Sequence, residues 1–163
     1  MDQAVTRIAP AVLLLLSFTL LAACGSSGPV RRVSEPAANI QQLAVHADGS
    51  WTVSLRLDNF SSVPMRFERV DATLAIAGQA PVALHATPGI GIGPEAADVV
   101  EVRVVPHAGA KLAVADALAR DARVSYHLGG SVSAAPGNDS ARSYKLDRDN
   151  ALSPVPGLPG VLR

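Results

Sequence analysis

Apolar and polar residues alternate from Trp51 to Asp58, with Trp51, Val53, Leu55 and Leu57 set against Thr52, Ser54, Arg56 and Asp58. Successive side chains of an extended chain point to opposite faces, so this spacing predicts a half-buried strand. Asp58, Asn59, Ser61, Ser62 and Pro64 then gather turn formers, whose short side chains bond to nearby backbone while Pro64 fixes its own φ near about −65°. The chain reverses there. The next run opens with Met65 and Phe67 inward and then switches parity to Val70, Ala72, Leu74 and Ile76, which predicts a β-bulge between Phe67 and Val70.

Further strands extend this pair. Ile40 to His46, with Leu43 and Val45 inward, joins the Trp51 strand through Ala47-Asp48-Gly49-Ser50, where Asp-Gly is a strong hairpin signal. Val82, Leu84 and Ala86 share a face, and Pro81 places that strand at a sheet edge or at a strand start. Thr87 to Pro94 reads as a glycine-rich turn, followed by a strand with Val100, Val102 and Val104 alternating with Glu101 and Arg103. Ala108 to Asp121 is the one stretch with helical spacing, with Leu112, Ala115, Leu118 and Ala119 on the stripe expected to be buried and Lys111, Asp116 and Arg120 opposite. Val124, Tyr126 and Leu128 form a strand whose Gly129-Gly130 either bends it or admits another backbone closely. Val132 and then Tyr144 with Leu146 suggest a hairpin around Pro136-Gly137-Asn138-Asp139, and Ala151-Leu152 add a short strand. Pro154, Pro156 and Pro159 make residues 154–163 a Pro-rich extended tail with little to bury. About seven short alternating strands at regular spacing point to an all-β fold, an antiparallel β-sandwich with one short helix.

The N-terminus changes the picture. Ala11 to Leu21 is an apolar run behind a short polar segment containing Arg7, shorter than the about 20 residues that span a bilayer, and so reads as a signal-peptide core. It ends in Leu21-Ala22-Ala23-Cys24-Gly25, which resembles a bacterial lipobox. That resemblance implies cleavage after residue 23, thioether lipidation of Cys24 and acylation of the new N-terminus. Gly25 stands where the inner-membrane retention signal has Asp, so the resemblance favours the outer membrane with the domain on its periplasmic face. Two or more acyl chains anchor stably, each buried methylene contributing about 0.8 kcal/mol. Residues 24–37, rich in Gly, Ser and Pro, read as a flexible linker in which Arg31-Arg32 either touch lipid headgroups or are solvated. Residues 38–153 are then the folded domain.

Cys24 is the chain's one cysteine, so no disulfide within the chain is available and the fold depends on its core. Removing residues 1–23 takes Arg7 and Asp2 from 14 basic and 14 acidic residues and leaves 13 of each. That balance gives no electrostatic reason to seek nucleic acid.

Candidate chemistry is sparse. His85 and His127 fall on the outward parity of their strands, and His46 and His107 sit at strand ends, so none has a carboxylate or serine partner that spacing alone reveals. No G-x-S-x-G elbow, H-x-x-x-H pair or pair of carboxylates at catalytic spacing on a common face occurs. Gly89, Gly91 and Gly93 are spaced G-x-G-x-G-P with no helix to follow, unlike a dinucleotide-binding loop. The expectation is no catalytic residue, no cofactor, no metal and no small-molecule substrate, with Arg66, Glu68, Arg69 and Asp71 as the wet face of a strand.

Three segments carry a family resemblance: Leu55-Arg56-Leu57-Asp58-Asn59-Phe60-Ser61-Ser62-Val63-Pro64, then Leu74-Ala75-Ile76-Ala77-Gly78, then Tyr126-His127-Leu128-Gly129-Gly130-Ser131-Val132. Together they resemble the LEA type 2 domain, the water-stress-and-hypersensitive-response family, over about residues 40–154. The resemblance implies an immunoglobulin- or fibronectin-III-like sandwich, a role in desiccation or other stress, and no enzymatic activity. The family's turn is usually Asn-Pro-Asn, of which Asn59-Phe60-Ser61 keeps the first residue. Two functions follow as expectations: a stress-protective envelope lipoprotein, or an adaptor that binds another envelope protein through a sheet edge or loop.

Overall fold

A computed structural model describes residues 30–163, within which Arg31–Arg163 cluster as one compact unit. The signal peptide expected over residues 1–23, Cys24 and the first part of the linker lie outside the described residues. Nine strands and one helix are described: β1 (Ala37–Val45), β2 (Trp51–Asn59), β3 (Met65–Ile76), β4 (Val82–Ala86), β5 (Ile90–Ile92), β6 (Ala96–Val104), α1 (Ala108–Ala119), β7 (Val124–Pro136), β8 (Arg142–Leu152) and β9 (Val161–Leu162). They form a four-stranded sheet ordered β6-β2-β1-β9 and a five-stranded sheet ordered β4-β3-β7-β8, with β5 pairing β3 beyond the end of β4. Every pairing is antiparallel. The all-β sandwich with one short helix is therefore the architecture.

Alternation in β2 explains how the sheets meet. Trp51, Val53, Leu55 and Leu57 are all buried and join Leu43, Phe67, Leu74, Ile76, Leu84 and Leu128 in one hydrophobic core. Each such side chain contributes about 1.5–3 kcal/mol by leaving water. The bulge lies where parity slips. Phe67 pairs Ala134 and Arg69 pairs Ser133, so Glu68 is the extra residue, and both Phe67 and Val70 point inward. A comparable shift between Ile40 and Gln42 lets β1 bury Ala38 and Ile40 as well as Leu43, and the strand begins at Ala37, earlier than the pattern suggests. β4 lies at a sheet edge behind Pro81.

Three details depart from the sequence reading, and Gly130 decides between the two alternatives it left open. The glycine-rich segment 87–94 contains the short strand β5, because Ile92 has a buried site beside Met65. The strand from Val124 runs unbroken to Pro136, and Ala151-Leu152 belong to the long strand β8. Gly130 has φ 140°, and a Cβ there would lie 2.3 Å from the Asp71 carbonyl oxygen, so this glycine admits β3 at close range and does not bend the strand. The helix turns a different face inward. Ala110, Val114 and Ala117 are buried, Leu118 is partly so, and Leu112 is 71% exposed. Small side chains bring α1 close to β3 and β7, the inner strands of the five-stranded sheet, and a leucine at that contact would hold it off.

Nor are residues 154–163 an extended tail. Val155 N–H donates to the Val161 carbonyl and Val161 N–H to that of Leu158, which folds the prolines into a compact reversal. β9 then adds to β1 through Leu43 and Ala44, and Leu162 is fully buried. Prolines stop a strand without stopping the chain from returning to a sheet edge.

Candidate functional site

The lipidation residue expected from the sequence, Cys24, is not among the described residues. Two other places gather polar groups, the outer face of the five-stranded sheet and the corner where the N-terminal arm meets the sandwich.

On the sheet face, register brings together side chains far apart in sequence. His85 on β4 lies opposite Asp71 on β3, and its Nδ1 is 3.0 Å from Asp71 Oδ1. His127 on β7 lies opposite Asp149 on β8, with Nδ1 2.9 Å from Asp149 Oδ1. Both histidines thus have carboxylate partners, which the spacing of the sequence did not reveal. His46 meets Thr52 Oγ1 at 2.7 Å, and His107 is the residue before α1. A carboxylate can orient an imidazole as a base. Among the described residues no serine or cysteine bonds either ring, and Thr73 Oγ1 donates instead to the Gly129 carbonyl at 3.4 Å. Both pairs are largely in water, where such contacts are worth about 0–1 kcal/mol. Among the described residues no three His, Cys, Asp or Glu side chains come together to hold a metal ion. Lys145 donates to Asp147 at 2.6 Å and holds that carboxyl below its usual range. Arg66 pairs with Glu68 within the wet strand face anticipated for that cluster.

The corner is more tightly built. Asn59 is 1% exposed, and its Nδ2 donates to the carbonyls of Val63 (2.9 Å), Ile92 (3.2 Å) and Gly93 (2.8 Å). Its Oδ1 accepts from Ser61 N–H at 2.9 Å, the Asx turn that an asparagine with a serine two residues on can form. Ser61 Oγ is also buried, accepting from Ser34 N–H at 3.0 Å and donating to the Ser34 carbonyl at 3.2 Å. Arg32 and Ser62 exchange backbone and hydroxyl bonds, and Arg32 Nη2 reaches Glu95 Oε1 at 2.6 Å and the Phe60 carbonyl at 3.2 Å. Arg31 pairs with Asp139 in the turn between β7 and β8. The arginines read from sequence as contacting headgroups or simply solvated are therefore ion-paired as well as half exposed, and residues 31–36 are pinned to the sandwich.

The fold's perturbed acids serve structure too. Asp48 accepts from Ser50 N–H at 2.9 Å and from Ser50 Oγ at 2.6 Å. With Arg103 Nη2 2.8 Å away, these bonds lower its pKa from 3.8 to about 2. Burial raises the Tyr126 phenol, partly offset by the Ile40 N–H that its oxygen accepts at 3.4 Å. The Asn59 corner was legible as a turn, but its reach to Ile92 and Gly93 depends on a strand pairing that no local signal announces.

Neither protein families nor curated proteins yield a match to this chain. Solved structures do. A candidate late embryogenesis abundant protein, determined in solution, is 14% identical over 98% of this chain and 90% of its own, with a TM-score of 0.48. A protein from Archaeoglobus fulgidus is 12% identical over 76% of this chain and 98% of its own, at 0.42. An Arabidopsis thaliana protein is 10% identical over 80% and 83%, at 0.43. At these scores the architecture rests on this chain's own strand pairing.

Proposed function

We propose that this chain is a non-catalytic, lipid-anchored envelope protein on the periplasmic face of the outer membrane, whose LEA type 2-like sandwich protects the cell during desiccation or related stress. The observation that carries the reading is Asn59. The residue it shares with the family turn is buried, with every polar atom of its side chain bonded to backbone, as expected of a motif that builds an architecture and does no chemistry. The lipobox-like Leu21-Ala22-Ala23-Cys24-Gly25 supports the anchor. A deletion strain dried and rehydrated beside its parent tests the role. Reduced survival, restored by the wild-type gene, is expected, whereas equal survival under drying and osmotic shock would reject it.

One feature favours the adaptor reading in its place. A groove of about 600 Å³ lies between the end of α1, at Leu118 and Ala119, and the proline-rich reversal from Pro154 to Gly160. Crosslinking in intact cells that captures a reproducible envelope protein at this groove would establish that alternative.

A further inference from the structure

We infer that the Asn59 corner is a bilayer-contacting surface, with Phe60 and Val33 as its inserting side chains. The inference rests on the anchoring at Cys24 proposed above. Phe60 is 51% exposed at the tip of the β2–β3 turn, and Val33, on the arm zipped to that turn, is 43% exposed. The turn is held from beneath by Asn59, Ser61 and Ser62, so burying this ring in lipid orders little that is not already ordered. An apolar side chain displayed on a rigid support is the kind of group that seats in the headgroup boundary.

Tether length supplies the occupant. Cys24 and Arg31 are seven residues apart, and a fully extended chain of that length spans at most about 25 Å. Arg31 and Arg32 are themselves fastened to the corner, so this short length of chain limits how far the corner can stand from an acylated Cys24. The opposite end, where α1 connects Val104 to Val124, is separated from it by the length of β3, whose 12 residues span about 40 Å. A patch of two side chains is too small to hold a free protein on a membrane. Tethering makes the contact intramolecular, and a weak contact then suffices.

Charge decides which lipids matter. Arg31 is paired with Asp139 and Arg32 with Glu95, so the four charges cancel and the corner has no net attraction for anionic headgroups. Contact through Phe60 and Val33 is accordingly insensitive to salt and to anionic lipid.

The test uses the full lipidated protein in phosphatidylcholine vesicles whose acyl chains carry bromine, a short-range quencher of indole fluorescence. Trp51 is the natural tryptophan and is buried, so it gives a constant background under two variants, Phe60→Trp and Leu112→Trp. In brominated vesicles the added F60W emission is expected to fall about twofold, at low or high salt, while the added L112W emission changes by less than about a tenth. Equal quenching at both positions, or none at Phe60→Trp in protein that co-sediments with the vesicles, would overturn the inference. So would a blue-shifted F60W emission that the brominated vesicles leave unquenched, which would assign the ring to a contact between protein copies and not to lipid. Protein that carries no acyl groups and does not co-sediment would instead reject the anchoring reading, and this inference with it.

Discussion

At Asn59 a single side chain holds two strand connections together. Replacing it with alanine leaves three carbonyls and the Ser61 N–H short of a partner inside the fold. Buried polar groups left unpaired cost about 1–3 kcal/mol each, with partial relaxation, so Asn59→Ala is expected to lower unfolding stability by about 3 kcal/mol. Phe60→Ser, one residue on and exposed, is expected to stay within about 0.5 kcal/mol, and urea denaturation compares the two. Asp48 gives a second expectation at this scale. Its folded pKa of about 2 lies below its ordinary 3.8, so its stabilisation is fully present above pH 3.8 and is lost as the pH falls towards 2. Urea midpoints of the wild type and Asp48→Asn should therefore differ at neutral pH and converge near pH 2. A difference that persists there would assign the effect to something other than the carboxylate. The bonds within Ala47-Asp48-Gly49-Ser50 are local and follow from an Asp-Gly turn. The Arg103 contact depends on the β2–β6 register and could not be read from the turn itself.

Among elements, β3 tests the facing assignment. Val70 is buried and Arg69 exposed on the far side of the bulge. Val70→Asp buries an unpaired charge and is expected to cost at least about 3 kcal/mol, against no more than about 0.5 kcal/mol for Arg69→Asp. Equal melting temperatures would show the bulge misplaced. This feature was legible because period two is strict, and a slip from Phe67 to Val70 has one simple cause. The helix was less legible. In Ala-Gly-Ala-Lys-Leu-Ala-Val-Ala-Asp-Ala-Leu-Ala nearly every position is apolar, so several stripes compete and leucine attracts the assignment, although the sheet accepts Ala110, Val114 and Ala117. The His85–Asp71 and His127–Asp149 pairs were hidden for a related reason. They join strands whose register is set by the core on the opposite face, and outward parity alone says nothing of who stands across.

For the molecule as a whole, the ends of the chain carry the organisation. The last residues return through three prolines to pair with β1, and the first described ones are bound to the turn that follows β2, so both flanks reinforce the same four-stranded sheet. Composition hid this, since Pro, Gly and Ser mark both flanks as linker-like while one buried leucine and two serine hydroxyls do the tying. The sandwich is thereby a unit that can be hung from its N-terminus, and the functional account depends on that attachment. Its most direct test is the intact mass of the protein purified from envelopes. A chain beginning at Cys24 and carrying a thioether-linked diacylglycerol and an acylated amine is expected. A chain that retains residues 1–23, or that begins elsewhere without lipid, would contradict that attachment.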